Sequence, residues 1–288
     1  MNILHSPWIF CWFPPVRELK GSVAIVTGGS SGIGRALSLL LSRRGVSVGV
    51  VSNVPQELAE VDELITGQGG RCKTMYADLS RPEEVAAVFP EMEGALGPVD
   101  TLVNNAGIGM HKTLLETDDA HFRRLFEVNF FAVVALSREA LQRMGARGRG
   151  HIVNVSSASA RRGLARMTAY SASKAAMHGF SQALRLEAFR QGVHVSEVLP
   201  ISVATPFFRA ANYRPQGWVQ TPEQVAETIV RVLERGTPEV CTSRWTRLAL
   251  ALDAFAPNLV ARLLERVESR HRSEAPLPEA APPAENPH

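Results

Sequence analysis

"SVAIVTGGSSGIGRALSLLLSRRG", residues 22–45, is the stretch whose reading decides the fold. It opens with "SVAIVT", a short β-branched apolar run of strand character. It closes with "GRALSLLLSRRG", apolar at helical spacing and stopped by Gly45. Between them lies "TGGSSGIG", 27–34. A glycine pattern carries chemical meaning when it follows a strand and opens a helix. The chain must turn sharply at Gly28, a bulky residue at Gly32 would block a pyrophosphate, and Gly34 lets the helix sit close on the strand. The N–H groups at that helix start then face a phosphate.

Working outward, the same alternation continues. "VSVGVVS" reads as a second strand and "PQELAEVDELITGQGG" as a helix ending in glycines. "RCKTMYADLS" is a third strand running into a turn, followed by a helix over "RPEEVAAVFPEMEGALG" with a break expected at Pro90. "VDTLVNNAG", "HIVNVSS", "VHVSEVLP" and "PEVCTS" are further strands. Between them lie a long helical stretch over roughly 117–144, a helix carrying Tyr170 to about Gln191, and "TPEQVAETIVRVLERG", opened by a Thr cap and a proline. Short apolar strands alternating with helices imply a parallel sheet covered on both faces. Right-handed crossovers make it a doubly wound α/β fold. No linker interrupts 21–243, so a single domain is expected there. An apolar arm over 1–20, amphipathic helices over 244–272 and a disordered, proline-rich tail over 273–288 flank it.

Composition excludes several classes. The chain has 288 residues, 45% of them apolar, enough for one α/β core. The formal charge of +3 and the absence of a Lys/Arg block argue against nucleic acid. Cys11, Cys72 and Cys241 are scattered, so no metal is expected and a reducing, cytoplasmic compartment is the simple reading. The arm "NILHSPWIFCWFPP" is too short to span a bilayer and lacks a basic start or small-residue cleavage site. It reads as an arm packed on the body or a partner subunit, with a shallow membrane contact as the alternative.

In "TAYSASKAAM", 168–177, Tyr170 and Lys174 are four residues apart and share one helix face. A free phenol has a pKa of about 10. A nearby ammonium lowers it, so the pair is expected to supply an acid near the operating pH.

With these motifs in order, the chain resembles the short-chain dehydrogenase/reductase family in its single-domain Rossmann form, over about 21–243. "TGGSSGIG" has the TGxxxGxG spacing of its cofactor loop, and "NNAG", 104–107, resembles its fourth-strand motif. Asn129, Ser157, Tyr170 and Lys174 match its active-site set, with Ser157 thirteen residues before Tyr170. The resemblance implies an NAD(P)-dependent oxidoreductase interconverting a ketone and a secondary alcohol. It makes Tyr170 the proton donor and Lys174 a ligand of the nicotinamide ribose. Ser157 becomes the carbonyl-oxygen donor, and Asn129 the holder of a helix kink and a relay water. It implies cofactor contacts from Thr27, Gly28, Ser30, Ser31, Gly32, Ile33, Gly34, Ser52, Asn53, Asp78, Leu79, Asn104, Asn105, Ala106, Gly107, Tyr170, Lys174, Pro200 and Thr205.

Where such enzymes place a carboxylate at the end of the second strand, this chain has Ser52 and Asn53. NADP (NADPH) is therefore expected over NAD, with Arg35 a source of charge. Ile201 follows Pro200 where relatives read glycine, which is expected to reshape the nicotinamide pocket. Phe207, Phe208, Tyr213 and Trp218, with Ile108, Met110 and Leu164, point to a hydrophobic substrate. Pairing through the fifth and sixth helices, as a homodimer or homotetramer, follows from the resemblance. The helices around Pro257 read as a subunit contact or a peripheral membrane contact. Two alternatives stand beside the enzyme: a non-catalytic nucleotide-sensing or scaffold protein, and a non-redox rearrangement or cyclisation in the same pocket.

Overall fold

The computed structural model describes residues 18–207, 211 and 219–274, with side chains to 266. The arm up to residue 17, the aromatic residues Phe208, Tyr213 and Trp218, and the tail from 275 lie outside the described residues. Seven parallel strands form the sheet: β1 (Val23–Thr27), β2 (Ser47–Ser52), β3 (Cys72–Tyr76), β4 (Thr101–Asn104), β5 (Gly150–Val155), β6 (Val193–Leu199) and β7 (Glu239–Cys241). Their order is β3-β2-β1-β4-β5-β6-β7. Sequence order reverses direction between β1 and β4, which pair through Ala24 with Thr101 and Val26 with Val103. That reversal opens the crevice at the carboxyl ends of the strands where ligands bind in such sheets.

The helices are α1 (Gly32–Arg43), α2 (Pro55–Thr66), α3 (Pro82–Leu96), α4 (Asp119–Phe126), α5 (Ala132–Ala146), α6 (Thr168–Phe189), α7 (Pro222–Arg235), α8 (Arg244–Phe255) and α9 (Pro257–Glu274). Alternate residues of β1 serve opposite faces of the sheet. Val23 and Ile25 join the core with Phe89, Met92, Leu136 and Met144 from α3 and α5. Ala24 and Val26 join Leu37, Leu41, Val61 and Ile229 from α1, α2 and α7. The whole strand is buried, as expected of a sheet covered on both sides.

Two local expectations change. The helix containing Pro90 is not broken: α3 runs through it, with Pro90 on the exposed side. The long helix over 117–144 is two helices joined by a π turn, Glu127–Phe131. A π turn inserts a residue into the helical ladder, and here the inserted turn carries Asn129. The capping of α7 follows the sequence: Thr221 and Gln224 form a reciprocal capping box. The chain divides into two compact units, one through Thr246 and one from Arg247. The second contains most of α8 and all of α9, broken at Pro257. Among the described residues no helix is long and apolar enough to cross a membrane.

Candidate active site

The glycine loop joins β1 to α1 at the crevice. Gly28 has φ +61, and a Cβ there would lie 2.9 Å from the Cα of Ala106. A Cβ on Gly34 would lie 2.0 Å from the carbonyl oxygen of Gly28, so only glycine lets α1 approach the strand this closely. Thr27 is buried and shapes the loop from below. Its Oγ1 accepts from the N–H groups of Asn105 and Ala106, each at 3.0 Å. Asn105 Nδ2 in turn donates to the carbonyl of Thr27 at 2.9 Å. These bonds clamp "NNAG" to the loop. Asn104 points elsewhere, donating to Ser137 and Asn154 inside the core.

Helix α1 starts without a side-chain cap bond from Ser31 and with no acid in its first turn. Its first N–H groups are therefore available to an anion. This cradle fits a dinucleotide pyrophosphate: glycine where a side chain would collide, and a helix start with no acid in its own first turn.

One cavity joins this loop to Ser157, Tyr170 and Lys174, the expected active-site residues. It is lined by Gly28, Ser31, Gly32, Ile33, Asn105, Ala106 and Gly107 on one side, and by Ser156, Ser157, Tyr170 and Lys174 on the other. Pro200, Ile201, Thr205 and Phe207 complete it. Tyr170 and Lys174 share the buried face of α6. Ser157, just past the carboxyl end of β5, accepts from the Ser159 N–H at 3.1 Å while capping a short 3₁₀ turn. It also stands near enough to the phenol of Tyr170 to lower its pKa slightly.

The charge state of the pair departs from expectation. Burial pushes the Tyr170 phenol up to about 12, against the smaller pull of the Ser157 hydroxyl. Burial brings the Lys174 ammonium down to about 8, with the Glu197 carboxylate acting the other way. Lys174 Nζ lies 5.9 Å from the Tyr170 ring centroid and donates to the Val155 carbonyl at 3.0 Å. Burial, and not the ammonium, dominates the phenol's pKa, so the phenol is not acidified. Both groups lose more to desolvation than they gain from each other.

Asn129 is fully buried within its π turn. Its Oδ1 accepts from the Ile108 N–H at 2.8 Å. Its Nδ2 donates to the Ile108 carbonyl at 3.0 Å and to Ser173 Oγ at 3.2 Å. It ties the loop after "NNAG" to α6. A Cβ on Gly107 would lie 3.2 Å from Asn129 Oδ1 and 3.7 Å from Lys174 Nζ, so Asn129 sits behind the cavity wall that Gly107 and Lys174 form.

The remaining expected cofactor residues lie away from this cavity. Asp78 holds the turn after β3, accepting from the Ser80 N–H at 2.9 Å and pairing with Arg124 at 3.4 Å. Bonds from Ser80, chiefly from its backbone N–H, hold its carboxyl below the usual range. The Leu79 side chain is in the core, leaving only its backbone to face a ligand. Asn53 is exposed. Ser52 is hydrogen-bonded inside the loop, and Glu57, which the sequence reading did not single out, joins it there: Ser30 Oγ lies 2.7 Å from Ser52 Oγ and 2.8 Å from Glu57 Oε2. Ile201 lines the cavity without backbone strain; among the described residues Arg166 is the non-glycine with positive φ.

On the outer side of Tyr170 is an apolar cluster. Phe207 packs on its ring, with centroids 5.6 Å apart. Ile108 and Met110 join as expected, and so do Phe122 and Phe126, stacked at 5.5 Å. Their spacing on α4 reads from sequence only as a helix face. Leu164 is largely exposed.

Comparison with known proteins agrees with this geometry. The family model for short chain dehydrogenases matches residues 22–216. The chain is 31% identical over 258 residues to the ketoacyl reductase HetN of Nostoc sp., covering 86% of this chain and 90% of that protein. It is 36% identical over 193 residues to an acetoacetyl-CoA reductase of Allochromatium vinosum, covering 66% and 78%. A short-chain dehydrogenase from Sphingobium yanoikuyae, solved with NADPH, superposes with a TM-score of 0.74 at 26% identity, covering 83% of this chain and 95% of that one. A Burkholderia phymatum structure solved with NAD shares the fold, with a TM-score of 0.77 at 24% identity, covering 84% and 96%. The chain belongs to the short-chain dehydrogenase/reductase family and is an NAD(P)-dependent oxidoreductase.

Proposed function

We propose that the protein interconverts a ketone and a secondary alcohol on a hydrophobic substrate. The observation that carries this reading is the single cavity lined by both the glycine loop and Ser157, Tyr170 and Lys174. The nicotinamide, when bound, supplies or accepts the hydride. Residues of this chain do the rest. Tyr170 holds a proton, and its raised pKa keeps that proton in place at neutral pH, ready for an oxygen gaining charge. Ser157 donates to the same oxygen and stabilises its developing charge. Lys174, cationic below about 8, contributes positive potential and a ribose-binding donor. Asn129 holds the loop and α6 in register. The aromatic cluster around Phe207 excludes water and favours an apolar substrate. Ketoacyl and acetoacetyl-CoA reductases, named among the relatives, act on ketones, which accords with this class.

NADP is the cofactor the sequence favours; the Glu57 carboxylate beside Ser30 weighs against it. Leu186 and Phe189, exposed on α6, support pairing through that helix. Trp245, Leu248, Leu252 and Phe255, exposed on α8, support a subunit or membrane-surface contact. The test is purified protein with NADH or NADPH and a panel of hydrophobic ketones, followed by nicotinamide absorbance. Ketone-dependent oxidation of either nucleotide is expected. Nucleotide binding without turnover of any ketone would favour the scaffold or rearrangement readings.

A further inference from the structure

The carboxyl end of β2 is where this kind of nucleotide fold meets the adenosine ribose. The sequence places no acid in that strand, but the fold brings one from the next helix. Glu57 stands in the first turn of α2, a position the helix dipole favours for a carboxylate. Its Oε2 lies 2.8 Å from Ser30 Oγ, and Ser30 Oγ lies 2.7 Å from Ser52 Oγ. Ser30 and Ser52 are both buried.

Counting protons makes the consequence definite. A serine hydroxyl has one proton, and an ionised carboxylate only accepts. The Ser30 proton therefore goes to Glu57. Ser52 must then give its own proton to Ser30 Oγ. Ser52 Oγ also accepts from the Val54 N–H at 3.3 Å. Both hydroxyl donors that would welcome a 2′-phosphate are consumed, and a negative charge stands beside them. Ribose hydroxyls, by contrast, are donors that a carboxylate accepts.

We propose that Glu57, supplied from α2, replaces the missing strand-end acid and makes this protein selective for NAD(H) over NADP(H). The proposal rests on the nucleotide-binding reading above and reverses the preference expected from Ser52 and Asn53.

The test is equilibrium binding, read by nicotinamide fluorescence, of NADH and NADPH to the full chain, Glu57→Gln and Glu57→Ala. Glu60→Gln, an exposed acid on the same helix, controls for net charge. Wild type should bind NADH at least tenfold more tightly than NADPH. Either Glu57 variant should shrink that ratio at least fivefold, chiefly by tightening NADPH, while Glu60→Gln leaves it unchanged. The NADPH penalty in wild type should also fall as salt is raised. Tighter NADPH binding by wild type, or a ratio unmoved by either Glu57 variant, would overturn the proposal and leave the active-site reading intact. Binding of neither nucleotide by folded protein would overturn both.

Discussion

Replacing Lys174 with methionine should stabilise the protein while removing its activity. Lys174 is 3% exposed, and its ammonium finds one carbonyl, that of Val155, at 3.0 Å. Burial brings its pKa from 10.5 to about 8. Keeping it charged at pH 7 therefore costs the fold about 3 kcal/mol. Methionine has a similar length, is apolar and is flexible enough to fill the same space. Losing the lysine strands the Val155 carbonyl, returning about 1 kcal/mol of that gain. The net expectation is stabilisation by about 2 kcal/mol, or a Tm higher by roughly 5 °C for a chain of this size. The pH dependence fixes the cause. The folded state binds fewer protons than the unfolded state between about 8 and 10.5, so wild-type stability rises through that window. The variant's advantage should be full at pH 7 and lost above 10.5, where the stranded carbonyl leaves it about 1 kcal/mol less stable than wild type. Urea unfolding of both proteins at pH 7 and at high pH measures this. A variant less stable than wild type at pH 7, or a gap independent of pH, would refute the reasoning.

Gly34→Ala should weaken dinucleotide binding at least tenfold, seen by fluorescence titration, because its Cβ would meet the Gly28 carbonyl at 2.0 Å. The same change should destabilise the fold by about 2 kcal/mol through overpacking. Asn129→Ala removes bonds to both backbone groups of Ile108 and to Ser173. Urea denaturation should show a loss of about 2–4 kcal/mol, since buried groups are left unpaired. Initial rates of ketone reduction should fall as pH rises through about 8, where Lys174 loses its charge, while Tyr170 near 12 still holds its proton. A flat profile from pH 7 to 10 would separate Lys174 from the rate.

The loop and the shared face of Tyr170 and Lys174 were legible because each rests on local geometry. A strand of period two, glycines and a helix of period 3.6 place the phosphate cradle without tertiary knowledge. Tyr170 and Lys174 needed only the helix repeat to share a face. What stayed hidden depends on return contacts. Glu57 reads as an ordinary first-turn acid, and only the packing of α2 beside the loop brings it to Ser30. The π turn at Asn129 leaves no mark in apolar spacing. The direction of the Tyr170 pKa depends on how deeply α6 buries it, which the spacing of two residues does not state. Phe122 and Phe126 join Tyr170 because α4 packs against α6, a pairing no motif announces.

The account stands most directly on the Tyr170 hydroxyl as the proton donor to substrate oxygen. Tyr170→Phe removes that one oxygen and leaves the ring that packs on Phe207. Turnover should fall by at least about 10²-fold, the ordinary worth of a placed acid, while the Kd for the preferred nucleotide stays within a few-fold of wild type. Turnover near the wild-type rate with nucleotide still bound would contradict it.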